Sequence, residues 1–599
     1  MSKDPKIILE ILSKNNSTVD DLYRYLYIPE FYKLAYQNIC SKPSQMTPAS
    51  DGTTVDGMSL ERINKLIQKL KDRTYRPTII RRVNIPKKNG DVRRISIPTF
   101  EDKLIQEVIR MILEALYEHT FSNHNHGFRP QKSCHTALEF VQKKFQGTKW
   151  WINCDIRDYF DNINHQILLK ILAERIKEQK FLSIINKFLK AGYIKNWQYN
   201  KTHSGIPQGS IIGPILSNIY LDKFDKFMEK NIETFWKGKS RARSAQYNRL
   251  QSRVAGSKKS IVNNINIEEN RRKYKERKKE LNKFVKEHGV YDFFDPNFRR
   301  LSYVRYADNF LIGVVASKKE AIKIKEQIEE FLETTLKIKL NEEKSKIIHN
   351  SKLVRFLGYD LSVIKGVDNV RIRGIIALWL PYEVCKNFII DNRFGKFVCD
   401  AQTGKPKLKA IHRPEMNNND ELEILMIYNT KIRGLYNYYK MASNVCKLNY
   451  FNDICQTSFL KTLANKYKTS VAKIYANPKY NHRKNNSSNV GITYNNKFYE
   501  FFDGPFKVVK KPKFDKNIDD VKNVNRYFGR TSLIQRLEGS ECEICHTTIG
   551  PFEVHHVRKL KDLKNKKYLK DWEKFMISRN RKTLVLCKDC HHKLHANKL

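Results

Sequence analysis

Two apolar runs that end in aspartate constrain this chain more than any other feature. In "YVRYADNFLIGV", Tyr303 to Val314, apolar residues flank a Tyr-Ala-Asp-Asn centre. The pattern predicts strand, tight turn and strand, with Asp308 pinned at the turn. In "WWINCDIRDYFDNINH", Asp155 closes another apolar strand, with Asp158, Phe160 and Asp161 just beyond it. One such carboxylate is an ordinary strand end. Two on separate strands are an economical way to bridge divalent ions, which take hard oxygen ligands. Nucleotidyl transfer needs a pair of ions about 3.5–4 Å apart, one activating the attacking 3′-hydroxyl and one steadying the leaving pyrophosphate. Asn309 stands where the pattern invites a second carboxylate. The segment therefore reads as a polymerase site, as one that has lost a ligand, or as a plain hairpin.

Either polymerase reading needs room, a core and a suitable partner. The 599 residues suffice for several domains, roughly four at ~150 residues each. A hydrophobic content of 40%, with 32 Phe and 30 Tyr, can build real cores. Lys plus Arg number 112 against 63 Asp plus Glu, a net +49 spread through the whole chain. A chain so basic repels itself unless a polyanion is its normal partner, which points to nucleic acid. An AT-rich genome would enrich Lys, but would not by itself deplete Asp and Glu. No run approaches the ~20 apolar residues of a membrane span. The opening "MSKDPKIILEILSKNN" shows neither a secretory h-region nor a transit-peptide pattern. Of 11 cysteines, four cluster between Cys542 and Cys590. That distribution favours reduced thiols and one metal site over a disulfide framework.

Along the chain, residues 1–45 read as helical from the spacing in "DDLYRYLYIPEFYKLAYQNI", and the loop "TPASDGTTVDGMS" follows. From Arg81 to Val370, short β-rich runs alternate with longer helical ones, as in an α/β catalytic body. A basic segment at 236–290 interrupts it and is expected to be helical or partly disordered. Residues 375–470 read as helical again, 480–497 as a polar linker, and the tail from Leu537 as a separate small module. No internal repeat is evident.

Seven blocks stand in order: "RRVNIPKKNGDVRRISIPTFEDKLIQ", "NHGFRP", "CDIRDYFDNINH", "GIPQGSIIGPILSNIYLDKFD", "YADN", "LNEEKSKIIH" and "RFLGYDL". Through them the chain resembles the group II intron-encoded reverse transcriptases and maturases over about residues 20–450. The loop "TPASDGTTVDGMS" resembles the additional N-terminal block of that family. The resemblance implies a multidomain α+β protein: a right-hand polymerase with fingers and palm, an α-helical thumb or maturase domain, and a zinc-stabilised ββα-metal HNH module. The expected divisions are 1–80, an N-terminal helical extension and fingers; 81–370, fingers and palm, with the basic insertion at about 236–300; 371–460, thumb or maturase; 461–536, a basic DNA-binding or linker region; and 537–599, the endonuclease.

The resemblance also assigns roles. Asp155 and Asp308 are the main ligands of two Mg²⁺ ions, with Asn309 beside them. Arg81, Lys87 and Arg93 cradle the incoming triphosphate, where cations offset transition-state charge. Phe160 excludes a ribose 2′-hydroxyl; filling core is its bland alternative. Gln208 supports the template and nucleotide pocket, with Gly209 allowing close backbone approach. Lys344 is a weaker candidate to protonate the leaving pyrophosphate. Asparagine offers a carbonyl oxygen but no charge, so Asn309 weakens any ion it ligates.

From Arg413 to Phe451, "RPEMNNNDELEILMIYNTKIRGLYNYYKMASNVCKLNYF" repeats apolar and aromatic residues at three- and four-residue steps. Alone, this is an amphipathic helix pair. It resembles the family's maturase domain, whose basic face grips folded RNA through phosphates and stacking. In the tail, "CEIC" (Cys542, Cys545) and "CKDC" (Cys587, Cys590) have the spacing of a closed Zn²⁺ site. Threaded through it, "EVHHV" and "CHHKLH" resemble an HNH nuclease. By that resemblance His556 is the general base, Asn580 orients it, and His555, His591 and His595 hold Mg²⁺ or another divalent ion. The bland alternative is a zinc-ribbon DNA-binding module.

The implied partners are group II intron RNA, target double-stranded DNA and deoxynucleoside triphosphates, with no membrane; a homodimer is compatible with this. The implied function is RNA-directed DNA synthesis, intron splicing and strand cleavage in intron mobility. A splicing-only maturase, its polymerase decayed at Asn309, is the alternative. The composition suits an organelle genome, chloroplast or mitochondrial, encoding the protein in place; a bacterial cytoplasm is the alternative.

Overall fold

The computed structural model describes residues 4–510 and 533–599, apart from 41–42, 87–89, 91, 196–197, 264–265, 293–294, 369–370, 400–405, 485–486, 559, 565, 567 and 580. Lys87 and Asn580 lie outside the described residues.

The aspartate-tipped runs form neighbouring strands, as their patterning predicts. Four antiparallel strands stand in the order Arg300–Tyr306, Asn309–Val315, Trp150–Asp155, Lys346–His349. The near-continuous apolar character of "NFLIGVV" follows from burial on both faces. Phe310, Ile312 and Val314 enter one core and Leu311 a second, because successive side chains alternate across the sheet. The first core also holds the N-terminal helices and the helices Phe100–Tyr117 and Gly213–Phe235. Thr99 caps the former by accepting from the Asp102 N–H, with Glu101 and Asp102 in its first turn.

A smaller sheet is ordered Val92–Ile97, Ile80–Pro86, Tyr193–Lys195, Gln198–Asn200. The basic insertion is helical: Ala245–Val262 and Ile267–His288 pack on each other, joined where Arg277 donates to Ser257 Oγ at 2.7 Å.

Three expectations change. Residues 375–470 are not wholly helical: Arg371–Trp379 pairs with Tyr359–Asp368, and Gly395–Cys399 with Pro406–Ala410. The expected polar linker at 480–497 instead contributes the strands Asn481–Lys484, Ser487–Tyr494 and Lys497–Glu500. Its few apolar residues suffice because Val490 and Ile492 are buried in the second core, next to Tyr480 and Phe501. The helix Leu448–Lys466 runs across the expected boundary at 460/461, holding Phe459 and Leu463 in that core.

The tail is a module in its core but not in its contacts. Phe552–His556 pairs with Thr583–Cys587, the helix Lys588–His595 follows, and Leu537, Val554, Met576 and Leu584–Leu586 fill a core of their own. The module nevertheless docks on the N-terminal block: Met58 bridges Val554, and Lys33 pairs with Glu538 at 2.7 Å.

Candidate functional sites

In the central sheet Asp155 sits directly opposite Asn309, and Asp308 occupies the two-residue turn before Asn309. Ala307 bears the strain of that turn at φ +57°. The turn is fixed from beneath. Arg305 is fully buried and makes a two-pronged pair with Asp225, its Nη2 at 2.5 Å from Oδ2 and its Nε donating to Oδ1 at 2.8 Å. Its Nη1 also donates to the Ala307 carbonyl at 3.0 Å. Gly127 of "NHGFRP" crosses so closely that a Cβ there would fall 2.2 Å from the Ala307 nitrogen. Glycine is required by that approach.

Burial and the neighbouring Asp155 charge push the Asp308 carboxyl above its ordinary range, opposed by Lys344 and Arg305. Such a carboxylate gains by taking a cation. Lys344 Nζ donates to Asp155 Oδ2 at 2.7 Å, so it meets the site through the carboxylate. Asn309 is exposed, its Nδ2 3.4 Å from Asp308 Oδ1.

The hairpin of Ile80–Pro86 and Val92–Ile97 places Arg81 opposite Ile97 and Arg93 opposite Ile85, so both basic residues lie on one face. Arg93 lines a cleft with Arg94, Asp158, Asp161 and Gln208. Arg81 sits apart from that cleft's lining and donates to the Pro48 carbonyl at 3.0 Å. Gly209 has φ +108°, and a Cβ there would lie 2.4 Å from the Ser96 carbonyl. The loop thereby closes on the hairpin, with the Ser96 N–H donating to the Gln208 carbonyl at 2.6 Å. The Phe160 carbonyl accepts from the Ile206 N–H at 2.7 Å, and its ring meets Phe128 at 6.5 Å. Phe160 is half-buried.

In the second core, Tyr428 stacks on Phe394 at 4.6 Å, and Tyr439 is buried against Tyr359 at 4.9 Å. Tyr438 and Tyr450 remain exposed, as does Lys431. Of the tyrosines in "RGLYNYYKMA", only Tyr439 is fully core; Tyr436 is partly buried.

The tail carries two clusters. Cys542, Cys545, Cys587 and Cys590 converge, with Cys545 Sγ and Cys587 Sγ 3.7 Å apart. Four thiolates around a Zn²⁺ with ~2.3 Å bonds stand at about that spacing. The second cluster joins His555, His591 and His595 with Asp56 of the N-terminal loop. His591 Nε2 and His595 Nε2 are 3.1 Å apart, and His591 Nδ1 meets Glu553 at 2.6 Å. His555 is buried with neither ring nitrogen hydrogen-bonded, so its nitrogens fit the donor set of a cation. Burial pushes the His556 imidazole down to about 4, against the pull of the Asp56 carboxylate, so it is neutral at pH 7. His592 is exposed and outside the cluster. Across the hairpin His556 faces Thr583.

Sequence reasoning missed Arg305 with Asp225, Arg94, Tyr36 and Asp56. Asp56 lay within a quoted loop, but no local pattern ties it to histidines some 500 positions away. Only tertiary docking makes that link.

The fold and sites define a reverse transcriptase joined to a metal-dependent nuclease module. Residues 85–245 match the reverse transcriptase (RNA-dependent DNA polymerase) family, 389–524 type II intron maturase, and 542–591 AI2M/AI1M-like HNH endonuclease. The chain is 39% identical to the group II intron-encoded protein LtrA of Lactococcus lactis subsp. cremoris, over 100% of both chains. It is 31% identical to the putative COX1/OXI3 intron 1 protein of Saccharomyces cerevisiae, covering 99% of this chain and 71% of that one. An uncharacterized 91 kDa protein in cob intron of Schizosaccharomyces pombe is 33% identical, over 98% and 71%. The chain belongs to the group II intron-encoded proteins. It is a multifunctional enzyme of that family, an RNA-directed DNA polymerase and endonuclease with an intron maturase domain.

Proposed function

We propose that Asp155 and Asp308 hold the two Mg²⁺ ions of polymerisation, with Asn309 as a neutral oxygen beside them. The observation that carries this is the cross-strand pairing of Asp155 with Asn309, next to Asp308 at the turn. Bound there, the ions supply charge for the attacking 3′-hydroxyl and the leaving pyrophosphate. Arg93, Gln208 and the Phe160 ring shape the deoxynucleotide pocket, Arg81 and Lys87 are assigned to the incoming triphosphate, and Lys344, paired with Asp155, is the weaker candidate to protonate the leaving pyrophosphate.

In the tail, Cys542, Cys545, Cys587 and Cys590 hold Zn²⁺ as a structural staple, which lets so small a core fold. His555, His591 and His595 hold a divalent ion that offsets charge on the scissile phosphate. His556, neutral at pH 7, takes the proton from the attacking water. Asn580 is its proposed orienting partner. The polymerase body reaches to about 370, the maturase domain follows and runs past 460 along the helix Leu448–Lys466, and the basic stretch between that helix and the nuclease module is assigned to DNA binding.

These activities act in sequence: the protein grips its intron RNA, cuts one strand of target DNA, and copies the RNA from the 3′-hydroxyl at the cut. The compartment is an organelle or a bacterial cytoplasm; among the described residues no helix is long and apolar enough to cross a membrane.

The test supplies intron RNA, a target duplex and labelled deoxynucleotides. Asp308→Ala should leave nicking intact and abolish DNA synthesis. His556→Ala should abolish nicking yet extend a pre-annealed primer. Synthesis that survives Asp308→Ala would overturn the assignment.

A further inference from the structure

The loop between the N-terminal helices Pro29–Cys40 and Leu60–Lys71 does more than touch the nuclease module. The Gly57 N–H donates to the Val554 carbonyl at 3.1 Å, and the Val554 N–H to the Met58 carbonyl at 2.9 Å. The loop thus adds a short third edge to the nuclease hairpin. Gly57, at φ +72°, turns the chain there, and the Asp56 carboxylate accepts from the His556 N–H at 2.6 Å.

That carboxylate reaches all three imidazoles. Asp56 Oδ2 lies 2.8 Å from His595 Nε2 and 3.5 Å from His591 Nε2, and Oδ1 lies 3.4 Å from His555 Nδ1. Donors around a four-coordinate ion with bonds of ~2.0–2.1 Å stand about 3.3 Å apart. The ligand atoms of Asp56 and the three imidazoles all lie within 4.8 Å of one another, and the buried His555 ring, whose nitrogens make no hydrogen bond, belongs to the cluster.

We propose that Asp56 is the fourth ligand of the nuclease ion, and that this four-ligand state is the closed, resting form of the nuclease. The inference rests on the assignment of His555, His591 and His595 to that ion. Around a tetrahedral ion, catalytic sites keep one of the four positions open for water or substrate, whereas four protein ligands close the shell. A scissile phosphate oxygen gains its place when Asp56 withdraws. The general base is covered from the same side. The Tyr36 hydroxyl lies 2.6 Å from His556 Nε2, and His556 is only 5% exposed. Only His595 among the four ligands is exposed, which leaves the ion a path to solvent. Two contacts from one block therefore hold both halves of the chemistry, and DNA enters as that block separates from the module.

The experiment uses the full chain with its cysteine site filled by zinc, titrated with Co²⁺ and followed by visible absorption. Oxygen-and-water sites such as the polymerase aspartates give octahedral Co²⁺ of weak absorption; a three-histidine, one-carboxylate site gives an intense tetrahedral band. Asp56→Ala should lose that band and weaken Co²⁺ binding by on the order of 10-fold or more, as loss of support at metal sites generally does. At a saturating concentration of the same Co²⁺, Asp56→Ala and Tyr36→Phe should each nick target DNA several-fold faster than the parent. Tyr36→Phe keeps the ring packed on Phe100 and removes only the hydroxyl. An unchanged band in Asp56→Ala, with the band lost in His591→Ala, overturns Asp56 as a ligand and leaves the histidine site standing. A band unchanged in both variants overturns the site assignment itself. Nicking that falls in Asp56→Ala and in Tyr36→Phe overturns the closed state.

Discussion

Asn309 faces Asp155 at the end of the central sheet, exposed and beside Asp308. A neutral amide there lowers the charge that draws in cations, so Asn309→Asp should reduce the Mg²⁺ concentration needed for half-maximal DNA synthesis, as a metal titration would read. Phe160 is held by the backbone bond from Ile206 to its carbonyl. Its truncation in Phe160→Ala should relax rejection of ribonucleotides by about 1–3 kcal/mol, roughly 10–200-fold, measured by competing ribo- and deoxynucleotides. Both residues were legible in the sequence because short motifs carry them. Arg305 was not, although it sits inside the quoted "YVRYADN". A charged residue on a strand reads as solvent-facing until its partner Asp225, on another helix, is known. Arg305→Met should cost about 3–5 kcal/mol by stranding the buried Asp225 carboxylate, visible as a lowered denaturation midpoint. Asp225→Leu added to it should recover most of that loss.

At the scale of elements, the catalytic turn depends on a loop that contributes no chemistry. Gly127 passes so near Ala307 that a methyl group has no room. Gly127→Ala should displace the turn and depress DNA synthesis severely while leaving Co²⁺ binding in the tail unchanged. The central-sheet strands were readable from their alternation and apolar runs. The strands at 481–500 were not, because polar residues dominate them and, among the described residues, few apolar side chains such as Val490 and Ile492 are driven inward. Their pairing is supplied by tertiary contact, as where the Asn429 amide donates to the Glu500 carbonyl at 2.8 Å. Propensity is weak evidence where context decides.

Across the whole molecule, a net charge of +49 sets both partner and conditions. RNA affinity should fall by about 10³–10⁵ between 50 and 200 mM salt if 6–10 phosphates are contacted, as a filter-binding series would show. Docking of the tail makes stability pH-dependent as well. His556 titrates near 4 in the folded protein, against about 6.5 when unfolded. Between these values the unfolded chain binds more protons. Stability is therefore full above pH 6.5 and falls as pH drops toward 4, by up to ~1.4 kcal/mol per pH unit. Thermal melts of metal-free protein should show that slope, and His556→Gln should flatten it. Domain order was legible from ordered motifs. The docking was not, since Asp56 and Tyr36 meet the histidines only in the folded chain.

The most direct test is primer extension on an RNA template with deoxynucleotides, in Mg²⁺ and in Mn²⁺. The parent protein should extend the primer, Asp308→Ala should not, and Asn309→Asp should extend at lower metal concentration. A parent that stays silent in both ions, or an Asp308→Ala variant that still extends, would contradict a working site built from Asp155, Asp308 and Asn309.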